Sequence, residues 1–285
     1  MTRPGTFLWL AFIWVPLMIP PAARAQTAQD MEACRDQASS ADQAIIGCDA
    51  VIAANNFGGE NLSLAFTRRC AAHRARGEHD LALADCSKAI ELDPSRMAAL
   101  YIRGAEYEAK GELDKARDDY GRVIAINSGD FNALNRRAWI YAKQKQYDRA
   151  IADFTQAVES DDDGTMSSEN SLTRATIFGN RCWVRALAKQ FDEAQLDCNA
   201  GLSLELSVGL LDDRGFLYFQ MGQYDKAIGQ YNAALRVDPG SAASLYERGL
   251  AELRSKQPAK GNDDIAAAKK VQPEIAGQLA ALGLE

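Results

Sequence analysis

Apolar and small side chains recur along this chain at two nested periods. Over stretches of a dozen or so residues they return every three or four positions, the spacing of one face of an α-helix. Over longer distances the whole pattern repeats. Ala82, Ala116 and Ala150 lie 34 residues apart, Ala194 and Ala227 lie 33 apart, and Gly77–Gly111 and Arg69–Arg103–Arg137 keep the 34-residue interval. A period of this length marks a stack of small supersecondary units. Each unit reads as two amphipathic helices around a short turn, such as Gly77-Glu78-His79-Asp80, Gly111-Glu112-Leu113-Asp114 or Gly222-Gln223-Tyr224-Asp225. Breakers such as Leu92-Asp93-Pro94-Ser95, Asn127-Ser128-Gly129-Asp130 and Val237-Asp238-Pro239-Gly240 separate one unit from the next.

Units are expected at 63–96, 97–130, 131–164, 175–208, 208–241 and 242–275. A degenerate helical repeat precedes them over 26–62, residues 165–174 interrupt the spacing as a loop, and a capping segment follows over 276–285. A helix pair of this kind has an apolar face that it cannot bury alone, so neighbours must stack. Small residues admit close helix approach, and Tyr or Phe opposite them fills the remaining space.

One unit carries Leu100, Arg103-Gly104, Tyr107, Gly111, Ala116, Tyr120 and Val123. Another carries Leu134, Ala138, Tyr141, Tyr147, Ala150, Phe154 and Ala157, and a third Leu211, Gly215, Tyr218, Gly222, Tyr224, Ala227, Tyr231, Ala234 and Pro239. These residues resemble the tetratricopeptide repeat family. The resemblance implies an all-α fold, a right-handed α-solenoid of about six to seven stacked helix-turn-helix repeats, with the first helices lining a concave groove. It implies a scaffold more than any particular chemistry, because a fold of this type serves many partners.

The six cysteines sharpen the picture. Cys70 and Cys86 occupy the eighth and twenty-fourth places of their unit, and Cys182 and Cys198 the same places of theirs. Elsewhere those places hold Gly104 and Tyr120, Ala138 and Phe154, Gly215 and Tyr231, or Gly249 and Ile265. Both places lie about equally far from the turn, so an antiparallel hairpin brings them to one height, within reach of a disulfide. Cys34 and Cys48 straddle Ser39-Ser40-Ala41 and pair by symmetry and elimination. The competing reading is six free thiols acting as buried apolar fillers; zinc is disfavoured because no Cys-x-x-Cys spacing occurs.

Disulfides belong in an oxidising compartment, and the first 25 residues agree. Arg3 precedes a 13-residue apolar run from Phe7 to Ile19, and Ala23-Arg24-Ala25 supplies small side chains ahead of Gln26. That is the layout of a secretory signal cut between Ala25 and Gln26; the run is too short for a membrane-crossing helix. The expected address is the bacterial periplasm or the exterior, with no integral span after cleavage. Loss of Arg3 and Arg24 leaves 30 basic residues against 39 acidic ones. That balance opposes nucleic acid or anionic lipid as a partner. The expected partner is a protein or peptide associated with the cell envelope.

Carried onto the family's groove, the partner-facing residues are Trp139, Trp183, Phe216 and Leu250, one from each first helix at the ninth place, with Tyr101, Tyr246, Phe219, Asn132 and Asn135 nearby. Large apolar groups in line suit an extended segment or an amphipathic helix. The alternative is that they pack between units and thicken the core. The arginines at the seventh place (Arg69, Arg103, Arg137, Arg181, Arg214, Arg248) are expected along the edge between helices, heads in water or paired to acids. Asn180, Arg68 and Arg136 only partly suggest a clamp for a terminal carboxylate, which is not assigned.

Catalysis finds little support. His73 takes a helix-packing place and His79 a turn; no phosphate cradle, nucleophile elbow or His-Glu-x-x-His pair occurs. Asp161-Asp162-Asp163-Gly164 matches no calcium-loop spacing. No cofactor or metal is expected. The chain reads as a non-catalytic interaction scaffold; the alternative is a secreted helical-repeat enzyme or binding protein acting on cell-wall peptides.

Overall fold

The computed structural model of the chain describes residues 29–36, 40–54, 57–160 and 174–281. The expected leader with its cleavage site, the Asp161–Gly164 run and most of the inter-repeat loop lie outside these residues. Described residues form helices and turns, with no strand among them. They fall into two compact units, one ending at Pro94 and one beginning at Ser95.

The first unit holds α1 (29–35), α2 (Ala41–Ala54), α3 (Gly59–Ala75) and α4 (His79–Leu92). The second holds α5 (Met97–Ala109), α6 (Leu113–Ile126), α7 (Phe131–Lys143), α8 (Tyr147–Glu159), α9 (Arg174–Leu187) and α10 (Phe191–Leu204). It continues through α11 (Val208–Gln220), α12 (Tyr224–Val237), α13 (Ala242–Arg254), α14 (Pro258–Val271) and α15 (Ile275–Ala281). Helices α3–α4, α5–α6, α7–α8, α9–α10, α11–α12 and α13–α14 are antiparallel hairpins. The longest of them, α3, starts four residues ahead of the expected unit boundary at 63.

One turn geometry closes all six hairpins. In the first, the Gly77 N–H donates to the Arg74 carbonyl and the Glu78 N–H to the His73 carbonyl. This crossed pair satisfies carbonyls that a helix end leaves orphaned, and it needs one residue in the left-handed region. Gly77, Gly111 and Gly222 supply it at φ 74°, 76° and 72°; Lys145, Lys189 and Lys256 supply it at 58°, 60° and 65°. The same two bonds recur at each lysine turn, for instance Lys145 N–H to Ala142 O and Gln146 N–H to Tyr141 O. Lysine pays for a conformation that glycine adopts freely, so the frame of the hairpin dictates the backbone there.

Two adjacent layers of side chains fix how the helices of a hairpin slide. The first joins the eighth and twenty-fourth places. A Cβ on Gly104 would come within 3.0 Å of the Tyr120 ring, and one on Gly215 within 2.5 Å of the Tyr231 ring. Both tyrosines are fully buried, as is Phe154 opposite Ala138. Where cysteines replace the small–large pair, Cys70–Cys86 and Cys182–Cys198 are disulfides with Cα atoms 5.4 Å apart. Cys34–Cys48 is the third disulfide, at 4.6 Å. Gly47 lets its backbones approach, since a Cβ there would lie 2.9 Å from the Cys34 nitrogen. All six sulfurs are buried and none is free among the described residues.

The second layer is electrostatic. Each seventh-place arginine grips the twenty-third-place side chain of the opposite helix with a two-pronged hydrogen bond. Arg103 Nε and Nη2 lie 2.8 Å from the Asp119 oxygens, and Arg137 repeats this on Asp153. Arg69–Asp85, Arg181–Asp197 and Arg248–Asp264 follow the same plan. Bidentate charge-assisted bonds are the strong and directional kind, and their aspartates are largely buried. In α11–α12 the partner is Gln230, whose Oε1 accepts from Arg214 Nε and Nη2 at 3.0 and 2.8 Å. Of the two sequence readings for these arginine heads, water or acids, the acids hold in five hairpins.

An aromatic ring often flanks the guanidinium. Arg103 and Arg137 lie over the ring four residues later, Tyr107 and Tyr141. His73 and Arg185 occupy that place beside Arg69 and Arg181, and there the ring comes from three residues earlier, Phe66 and Phe178. Both placements lie on one helix face. His73 packs beside the first of these pairs, its Nδ1 2.5 Å from Glu78 and its Nε2 3.6 Å from Asp85.

Candidate partner-binding cleft

The last turns of α7, α9, α11 and α13, the first helices of four hairpins in the second unit, enclose a cleft of about 510 Å³. Lys143, Leu187, Gln220 and Arg254 line it, each the thirteenth residue of its unit. Trp139, Ala142 and Phe219 stand on the same helices. Lys145 from the α7–α8 turn and Tyr147 and Tyr224 from the starts of α8 and α12 add a further wall. Ala280 and Ala281 of α15 close one side. Four of the lining residues are aromatic, and every charged one is basic, although the chain as a whole has a formal charge of −7. Phe219 meets Tyr224 edge to face at 5.5 Å, and Trp139 meets Phe154 at 5.9 Å and 81°. These contacts hold the walls in place from behind.

The expected ladder divides between this cleft and the core. Trp139 and Phe219 are half-buried and line the cleft. Trp183 and Phe216 do not: they are 5% and 0% exposed and stack with ring centroids 3.7 Å apart and planes 9° from parallel. The expectation of an exposed ladder therefore fails at these two rungs, because neighbouring helices and α15 cover them in one apolar cluster. Leu250 and Tyr246 pack against the edge of that cluster. Tyr101 lies against Tyr120 at 5.5 Å. Asn135 accepts a 2.8 Å hydrogen bond from Asn180 Nδ2, and Asn132 is half-buried. Of the residues weighed as a clamp, Arg68 donates to the carbonyls of Cys34 and Asp36, and Arg136 faces Glu108 at 3.6 Å.

Sequence reasoning missed the thirteenth-place residues. They sit one helical turn beyond the ninth-place ladder, so the same register reaches them once the inner face is followed to its end.

An acidic cluster joins α11 and α13, with Asp212 and Glu247 buried. Asp212 accepts from the Ser244 hydroxyl, which is 2.8 Å from both carboxylate oxygens. Asp213 reaches over Gly179 of α9, whose missing side chain leaves room for it: a Cβ there would come within 2.3 Å of Asp213 Oδ2. Burial pushes Asp212 up to about 7, and burial together with Asp212 pushes Asp213 up to about 8. Glu247, 2% exposed, is raised well above the usual carboxylate range by burial and by both aspartates. Desolvation of this kind favours the protonated acid.

Family models agree with the repeat fold. Residues 63–96 and 131–163 match the tetratricopeptide repeat model, and residues 215–255 match a second model described as a TPR repeat. The chain is a tetratricopeptide repeat protein. Its fold is similar to that of a tetratricopeptide repeat protein from Parabacteroides merdae ATCC 43184, with a TM-score of 0.67 and 19% identity over 91% of this chain and 98% of that one. It is also similar to PilW, described as a type IV pilus biogenesis factor (TM-score 0.61, 16% identity, 76% and 98% covered). PilF of Pseudomonas aeruginosa gives 0.57 at 20% identity, with 78% and 98% covered. No curated protein matches the chain. In this tetratricopeptide repeat protein no described helix is long and apolar enough to cross a membrane. No group of three or more His, Cys, Asp or Glu among the described residues is placed to hold a metal ion.

Proposed function

We propose that this protein is a non-catalytic adaptor of the bacterial periplasm, holding a segment of an envelope protein on the inner face of its second unit. The observation that carries this reading is the cleft: aromatic walls from Trp139, Tyr147, Phe219 and Tyr224 beside Lys143, Lys145 and Arg254, with no acidic lining. Aromatic side chains are efficient anchors for a partner, and a basic rim on an acidic protein selects and orients an anionic one. Three disulfides support the periplasmic address.

The test is crosslinked capture from envelope extracts by wild type and by Trp139→Ala and Lys143→Glu variants. Trp183 is unsuitable for substitution because it is core. Loss of one specific partner from both variants, with unchanged melting, supports the adaptor. An identical partner profile in all three refutes it, and turnover of cell-wall peptides by the purified protein would favour an enzyme.

A further inference from the structure

Helix α15 departs from the pattern of the other helices in its unit. Its described span is seven residues where theirs are 13 or 14, and it follows Gln272–Glu274 in place of a full repeat boundary. Only Ile275 and Leu279 are buried, at 3% and 6% exposure. These two are one helical turn apart and enter the cluster that contains Trp183 and Phe216, with Trp139, Tyr246 and Leu250 at its edge. The same helix brings Ala280 and Ala281 to the cleft lined by Trp139 of α7. A helix that merely continued the stack would lie beyond α13. Three helix-to-helix steps of about 8–10 Å each would then separate α7 from α13 alone. Helix α15 instead turns back across the inner face.

We propose that the surface beneath α15 is a docking face for a partner's short amphipathic helix with aliphatic side chains at i and i+4, and that α15 is the resident stand-in which the partner displaces. This rests on the reading of the inner face as the partner site. The seated Ile275–Leu279 pair is the template for the occupant's chemistry. Helix α15 is built to yield. Seven residues are too few to be helical alone, Gly277 weakens the middle, and its remaining residues are mostly small or exposed. Among the described residues it is tied locally by the Ile275 N–H donating to the Gln272 carbonyl, the Gln278 N–H to the Glu274 carbonyl, and Gln272 Nε2 to Gln278 Oε1 at 2.6 Å. Elements with few anchors open at low free energy, while the tether keeps α15 at high effective concentration and so sets a threshold for the competitor.

The test uses the full chain and its Ile275→Ser/Leu279→Ser variant, with a fluorescent peptide of residues 272–281 as probe. The variant is expected to bind the peptide at least tenfold more tightly than wild type, and neither chain should bind a peptide with serine at both anchors. Equal binding by both chains overturns the proposal. Hydrogen exchange on wild type is independent of whether the variant folds: α15 amides should exchange at least 100-fold faster than those of α13, and equal protection overturns the proposal. The adaptor reading fails separately. Partner capture that depends on Trp139 but ignores the α15 substitutions sinks only the displacement, whereas peptide binding to the released face without any partner capture sinks only the adaptor.

Discussion

Replacing Asp212 by Asn probes the acidic cluster, because the change keeps an acceptor for Ser244 and removes the ionisable proton. Asp212 is 8% exposed and sits beside Asp213 and Glu247. The sign follows from linkage. Its folded value of about 7 lies above the ordinary 3.8, so between those values the native protein holds a proton that the unfolded chain releases. The stabilising contribution is complete below about pH 4 and is lost as pH rises towards 7, at ~1.36 kcal/mol per pH unit for one group. Over three units the ceiling is about 4 kcal/mol for Asp212 alone. Asp213, raised to about 8, extends the loss to higher pH. Neutralising Asp212 removes the charge that helps raise Asp213 but leaves its burial, so the slope is reduced and not abolished.

Thermal and urea unfolding at pH 5, 6, 7 and 8, with disulfides intact, gives the difference between variant and wild type. In that difference the titrations that do not involve Asp212 cancel, and what remains is its own together with its effect on Asp213 and Glu247. The variant should gain about 2–4 kcal/mol on wild type between pH 5 and pH 8, about 5–15 °C in midpoint for a unit of this size. A difference that is flat across the range, or that favours wild type as pH rises, refutes the reasoning.

Two further outcomes follow from the hairpin layers. Cys182→Ala/Cys198→Ala should cost about 2–5 kcal/mol by denaturant unfolding, since the bond closes a loop of about 16 residues. Cys182→Gly/Cys198→Tyr, which installs the pair seen at Gly215 and Tyr231, should recover part of that loss by refilling the space; no recovery would show that the two solutions are not interchangeable. Asp197→Asn should be the most damaging change among the paired aspartates, about 3–5 kcal/mol, because Asp197 receives both Arg181 and Arg185. Gln230→Asp should reverse the sign and stabilise by up to about 1 kcal/mol, and a destabilised Gln230→Asp protein would count against the second layer.

Much of this architecture is legible in the residues, and its gaps have physical causes. The eighth and twenty-fourth places announce the hairpin register because small, large and cysteine substitute together. The arginine–aspartate layer has the same 16-residue spacing one position earlier, as in Arg69–Asp85 beside Cys70–Cys86. The residues leave these arginine heads a choice of water or acids and do not name the acid, because acidic residues are plentiful on these helices and only the bidentate geometry singles out one. Lys145, Lys189 and Lys256 hid three turns, since lysine carries no preference for the left-handed region and the hydrogen-bond frame imposes it. The burial of Trp183 and Phe216 could not be read from their own helices at all. It depends partly on Ile275 and Leu279, dozens of residues away, folding back onto them.

The two layers also explain where the molecule can yield. Sliding one helix of a hairpin along the other would break the arginine grip and drive a ring into a neighbouring backbone, so each register is specified twice. In α3–α4 and α9–α10 a disulfide takes the place of the small–large pair and makes that layer covalent. Among the described hairpins, α11–α12 alone lacks both the disulfide and the charged acceptor, having Gly215 opposite Tyr231 and Gln230 opposite Arg214. It also abuts the acidic cluster through Asp212 and Asp213, and it supplies Phe219, Gln220 and Tyr224 to the cleft. Binding surfaces that must adapt to an occupant are drawn from the less stable parts of a fold. The least constrained hairpin therefore stands where a partner would have to be accommodated, between the disulfide-locked α9–α10 and α13–α14.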